Sequence, residues 1–181
     1  MNRREWLATS LGVAALPEIL KAQHHAREAV KAGKQPEFLD AQAASDVESL
    51  TAEIVPTTST PGAREAGVVH FIDRALTTFD KESQVAYRKG LAEVNAKRAE
   101  MFPGSKSCAA LTSEQRIALL KSIESTQFFR LLRAHTMFGF LADPMYGGNP
   151  AGGYQTLGIK PAHIYKPPFG WYDDKANGGE N

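Results

Sequence analysis

The sequence predicts an all-α fold, a small bundle of about five helices followed by a long irregular, aromatic C-terminal arm. Three observations carry that expectation. Apolar residues recur at helical spacing in successive segments between residues 40 and 142. Strand-type alternation is absent throughout. Residues 143–181 hold eight of the fifteen glycines and five of the ten prolines, and no periodicity survives there. The chain divides accordingly into a leader (1–20), a linker or short helix (21–39), a helical domain (40–142) and the arm (143–181).

Each helix has a local reason. In 40–55, Val47, Leu50 and Ile54 share a face, and Pro56 stops the helix before a Thr/Ser/Pro/Gly loop. Over 63–79, Val68, Phe71, Ile72, Ala75, Leu76 and Phe79 follow the strongest amphipathic pattern in the chain. Asp80 is placed to cap the next helix, with Glu82 in its first turn. That helix runs to about Met101, with Tyr87, Leu91 and Val94 facing one way. Residues 102–111 form a connector. Thr112 and Gln115 have capping-box spacing and open a helix with Ile117, Leu120 and Ile123 on one face. A more apolar helix over 125–142 carries Phe128, Phe129, Leu131, Leu132, Met137, Phe138, Phe140 and Leu141, and Asp143-Pro144 ends it. The arm keeps enough aromatic residues to dock on a surface rather than stay fully solvated.

Composition narrows the function classes. The 181 residues are 43% hydrophobic and 23% charged, with a formal net charge of +1. That is ordinary globular usage. It excludes a strongly basic nucleic-acid binder and a polyacidic tail. No run of 18 apolar residues exists, so an ordinary membrane span is excluded. The lone Cys108 cannot form an internal disulfide, a CxxC pair or a multi-cysteine zinc site.

The N-terminus has the layout of an export signal. Arg3 and Arg4 precede Trp6, Leu7 and a short apolar stretch that Pro17 closes. Arg3-Arg4 followed by Trp6-Leu7 resembles the twin-arginine motif, which is read by a translocase for folded cargo. No clean A-x-A cleavage site follows, so the segment is cut elsewhere or stays as an anchor. The expected location is the periplasm. In an oxidising compartment a lone thiol is either buried or bonded to another chain, which makes Cys108 a candidate for an inter-chain disulfide.

Catalytic constellations are missing. The histidines are His24, His25, His70, His135 and His163, and none forms an HExxH pair. No GxSxG elbow, phosphate loop or GxGxxG turn is present, so the chain is expected to bind no cofactor or metal of its own. His70 and His135 read as structural, with His135 ordering the turn that follows its helix. The alternative is a free-standing enzyme that uses His135, Asp143 and Tyr146 as acid/base groups. A second alternative is a structural protein tethered to a membrane by residues 5–20.

Two strings stand out. Pro61-Gly62-Ala63 leads into Glu65-Ala66-Gly67-Val68, where Gly67 is read as allowing close backbone approach. Phe128-Phe129 leads through Arg133-Ala134-His135-Thr136 to Asp143-Pro144-Met145-Tyr146-Gly147-Gly148-Asn149, a sharp turn. Together they resemble the gluconate 2-dehydrogenase subunit 3 family, over about residues 46–159. The Asp-Pro-x-Tyr-Gly-Gly-Asn turn is the most specific part. Tyr154 stands where many members carry Trp, and Gly158 fits the usual Ile-Gly or Leu-Gly step.

The resemblance implies a non-catalytic small subunit. Its partner would be a large flavoprotein of the glucose-methanol-choline (GMC) oxidoreductase type, holding FAD and oxidising a sugar, sugar acid or polyol. A cytochrome c subunit or another acceptor would take the electrons. The small subunit would assist maturation and twin-arginine export of the large one. The docking residues implied are Asp143, Pro144, Tyr146, Gly147, Gly148 and Asn149 of the turn. Tyr154, Tyr165, Phe169 and Trp171 of the arm are added as apolar anchors.

Overall fold

The computed structural model describes residues 36–141, 153 and 156–158. The leader, most of the linker and nearly all of the arm lie outside them. The described residues form five α-helices and no strand: α1 (Ala41–Ile54), α2 (Val68–Thr77), α3 (Gln84–Met101), α4 (Ser113–Ile123) and α5 (Gln127–Phe140). A single 3-10 turn (Lys81–Ser83) precedes α3. The all-α expectation holds.

Helix starts are set by side chains that satisfy orphan amides. The Asp40 carboxylate accepts the Ala43 N–H at 2.8 Å and begins α1. Thr112 and Gln115 form the expected capping box at α4. The Thr126 hydroxyl accepts the Phe129 N–H at 3.1 Å and begins α5. Of these three, the Thr112–Gln115 box is the one expected from the sequence; Asp40 and Thr126 cap by the same local chemistry.

α2 differs from its expected span. The amphipathic pattern predicts a helix from 63, but the helix begins at Val68. Gly67 takes a left-handed conformation (φ 64°, ψ 33°), which breaks the helical path between 63–66 and Val68. Its role in starting α2 is conformational. Residues 63–66 form a turn instead, with the Ala66 N–H donating to the Gly62 carbonyl. The Glu65 carboxylate staples this loop by accepting the Thr57 hydroxyl at 2.7 Å and the Gly62 N–H at 2.8 Å. Those two bonds hold the Glu65 carboxyl below the usual range, the threonine contributing most.

The core lies where α2 packs on α5 and α1 packs on α2, α4 and α5, with α3 closing against α4 and α5. Val47, Leu50, Phe71, Ile72, Leu76, Tyr87, Val94, Leu119 and Leu132 are its most completely buried large side chains. α2 and α5 approach closely at Gly139, where an added Cβ would sit 3.0 Å from the Phe71 ring. One helix face was misjudged from sequence. Ile117, expected inside, is 40% exposed, while Leu119 is fully buried. α4 is rotated so that Leu119, Leu120 and Ile123 face inward, a choice made by its neighbours rather than by its own weak pattern.

Candidate functional site

The interior polar groups are the place to look for chemistry, since a buried polar side chain is retained only with partners. Most of them hold backbone. Asp73 is 6% exposed and receives three amides. The Glu37 N–H donates to Oδ2 at 2.8 Å, and the Phe38 and Leu39 N–H groups donate to Oδ1 at 2.9 Å each. Asp46, 1% exposed, accepts the Cys108 N–H at 2.7 Å and the Ala109 N–H at 3.3 Å. Two acids on helices thus fasten two non-helical segments. Arg98 does the same for the 102–111 connector, donating to the carbonyl and hydroxyl of Ser105. Arg116 pairs with Glu53 at 2.7 Å and caps the Leu111 carbonyl at 2.6 Å.

Sequence reading missed Asp46 and Asp73 as structural acids. The signal was available. Asp73 falls on the apolar stripe of α2, at the i+4 position from Val69 and three before Leu76. An acid on a buried stripe needs donors, and non-helical backbone is the nearest source.

The one side-chain relay joins three elements. The His135 ring, 5% exposed on α5, has both nitrogens engaged. Its Nε2 lies 3.0 Å from Asp80 Oδ2, and its Nδ1 lies 2.9 Å from the Tyr87 hydroxyl. Asp80 accepts only, so Nε2 carries the proton and Nδ1 accepts from Tyr87 when the ring is neutral. Burial lowers the imidazole pKa, opposed by Asp80. Burial also raises the Tyr87 phenol well above its ordinary value, with Asp80 adding to it. The rings of Tyr87 and His135 stack at 5.7 Å, and Phe128 meets Tyr87 edge-on at 5.5 Å.

This relay corrects two expectations. Asp80 makes no side-chain cap at the following helix; its carboxylate faces His135 instead. His135 does not order the turn after its own helix, because both ring nitrogens point to the α2–α3 corner and to α3. The acid/base trio of His135, Asp143 and Tyr146 is not assembled among the described residues, since Asp143 and Tyr146 lie outside them.

Cys108 is fully buried in the core. Burial, with Asp46 second, pushes its thiol up to about 12. An inter-chain disulfide would require the connector to leave the core, so the buried alternative is the one this fold prepares. The thiolate fraction near pH 8 is then roughly a thousandfold below that of an ordinary cysteine. Iodoacetamide should leave Cys108 unmodified in the native chain and alkylate it promptly in urea. Rapid native labelling, read by mass spectrometry, would contradict this burial.

One surface groove, about 250 Å³, lies among α1, α4 and α5. Ile54, Ile117, Leu120 and Phe129 form its apolar part, with Lys121 and Arg133 at the edge. Glu53 and Glu124 line it as well. Among the described residues no group of three His, Cys, Asp or Glu side chains converges to hold a metal, and no helix is long and apolar enough to cross a membrane.

Residues 40–161, two thirds of the chain, match the family described as gluconate 2-dehydrogenase subunit 3. The chain belongs to that family. No curated protein and no solved structure matches it. Membership makes the chain a subunit of a dehydrogenase complex. The matched region includes Asp143, Pro144, Tyr146, Gly147, Gly148, Asn149 and Tyr154. These residues, like Tyr165, Phe169, Trp171, Arg3, Arg4, Trp6 and Leu7, lie outside the described residues. Two subunit features just beyond α5 are described. Gly153 sits against the end of α5, with its Cβ direction 2.6 Å from the Phe140 carbonyl oxygen, and the Leu157 N–H donates to the Gly153 carbonyl at 3.1 Å. The chain that leaves α5 at Leu141 therefore returns to it by residue 153.

Proposed function

We propose that this subunit is a non-catalytic, exported partner of a large FAD-containing flavoprotein of the GMC type. It assists the maturation, stability and twin-arginine export of that flavoprotein, and the complex oxidises a sugar, sugar acid or polyol in the periplasm. A cytochrome c subunit is a further candidate partner as electron acceptor. The observation that carries the reading is the use of the interior polar groups. Asp46, Asp73, Arg98 and Arg116 hold backbone, and His135 is sealed between Asp80 and Tyr87. Among the described residues, none of these side chains lines the groove among α1, α4 and α5. Family membership supplies the complex, and the Arg3-Arg4 leader supports export.

FAD belongs in the partner on this reading. Docking falls to the Asp143–Asn149 turn and to Tyr154, Tyr165, Phe169 and Trp171.

Affinity purification of the tagged chain from its native periplasm tests the reading. A large co-eluting protein with flavin absorption at about 450 nm is the expected result. A colourless chain that elutes alone and turns over a sugar without a partner would overturn it.

A further inference from the structure

We propose that the Asp80–His135–Tyr87 chain is an acid-sensitive latch that fastens the C-terminal half of α5 to α3 and to the α2–α3 corner. The geometry carries the inference. His135 is the side chain through which α5 reaches both elements with polar contacts, at 3.0 Å to Asp80 and 2.9 Å to Tyr87. The latch lies five residues before Phe140, against which Gly153 packs so closely that an added Cβ would sit 2.6 Å from the Phe140 carbonyl oxygen.

The latch has one proton-dependent weakness. With the ring neutral, Nε2–H donates to Asp80 and Tyr87 O–H donates to Nδ1. A proton arriving from solvent binds Nδ1, so both nitrogens now donate. The Tyr87 oxygen must turn into an acceptor, and its own hydrogen then needs a new acceptor. Tyr87 is fully buried, and among the described residues its hydroxyl is hydrogen-bonded to His135 alone, so the freed hydrogen has no second partner in place.

Only Asp80 acts electrostatically on the imidazole to oppose its burial. Arg74 on α2 has its Nε buried without a hydrogen-bond partner among the described residues, but it does not act on the ring, and the other charges face elsewhere. On α1, Asp46 faces residues 108–109 and Glu53 faces Arg116. On α2, Asp73 faces residues 37–39, and His70 does not act on the ring. On α3, Arg88 lies over the Phe38 ring at 4.8 Å. On α5 itself, Arg133 is exposed. The sign follows. The folded-state imidazole has a lowered pKa, so the latch is intact above the ordinary histidine range. As pH falls below about 6.5 the unfolded or opened state binds the proton first, and the closed latch loses population.

The test is amide hydrogen exchange on the full-length chain from pH 7 to 5, corrected for the intrinsic rate, beside an NMR titration of the His135 ring. Protection at residues 137–141 should fall at least tenfold, tracking the His135 titration, while residues 117–123 in α4 hold their protection. His135→Gln should abolish that difference. Three results would overturn the latch: ring titration with unchanged exchange at 137–141, uniform loss of protection in every helix, or the same acid response in His135→Gln. If that variant does not fold, the wild-type titration decides by the first two.

Discussion

Asp73→Ala should destabilise the chain by about 2–5 kcal/mol, with the loss centred on the lead-in to α1. The carboxylate is the acceptor for three consecutive amides, those of Glu37, Phe38 and Leu39. An unsatisfied buried donor costs roughly 1–3 kcal/mol. The Leu39 bond is buried, so its amide bears the full cost; the other two are partly buried and recover some water. Leu39 itself is 3% exposed, and losing its anchorage adds part of the roughly 1.5–3 kcal/mol that a buried leucine contributes. Asp73→Asn should recover only part of the loss, because its NH₂ would face an amide donor. Urea unfolding of both variants reads the sum, and hydrogen exchange at residues 37–39 reads the location. A midpoint change equivalent to less than about 0.5 kcal/mol for the alanine variant would show that these amides find other acceptors.

The fold was legible wherever the determining chemistry is local. Asp40, Thr112 and Thr126 sit at helix starts because a short oxygen-bearing side chain reaches the amide three residues on. The core faces of α1 and α3 were readable for a similar reason: Val47 and Leu50, or Tyr87, Leu91 and Val94, repeat with the helix itself. Legibility fails where the answer belongs to another element. Asp80 has the sequence context of a cap, yet its carboxylate turns to a histidine 55 positions later. Ile117 fits the periodicity of α4 as well as Leu119 does, and only the placement of α1 and α3 decides which is buried. Gly67 illustrates a third limit. Its position inside an amphipathic run favours a continuous helix, while its left-handed φ reflects a loop in which Glu65 is stapled to Thr57 and Gly62 ahead of the run. The candidate site divides the same way. The family turn from Asp143 to Asn149 was readable as a string, but the Asp80–His135–Tyr87 relay needs three elements brought together and leaves no string behind.

Gly90→Val should be the more disruptive of two substitutions at the α3–α5 contact, and Gly90→Ala should already destabilise. Two effects compete. Replacing a glycine inside a helix by alanine gains about 1 kcal/mol of backbone propensity. Against that, an added Cβ at Gly90 would lie 2.2 Å from both Cγ and Cδ2 of Phe128 and 2.7 Å from its Cβ. The clash reaches the base of the ring, so turning the ring about its axis cannot relieve it. Phe128 is also confined by its edge-on contact with Tyr87 at 5.5 Å. Either α5 shifts away from α3 or Phe128 leaves its rotamer, at roughly 1–3 kcal/mol for each well-packed site overfilled. The clash therefore outweighs propensity, by up to about 2 kcal/mol for alanine and by more for valine. Because the cost belongs to one pair of side chains, it should be non-additive with truncation of its partner. In a Phe128→Ala background, which removes Cγ and Cδ2, Gly90→Ala should cost markedly less, and a double-mutant cycle on denaturant midpoints measures the difference. The displacement also has a direction. Moving α5 away from α3 lengthens the Tyr87–His135 bond, which joins the two helices. Gly90→Val should therefore bring the His135 ring closer to ordinary histidine titration as it gains access to water. If Gly90→Ala instead raised stability as an exposed helical glycine would, α3 and α5 could not be in contact at this point, and the burial of Tyr87 would need another explanation.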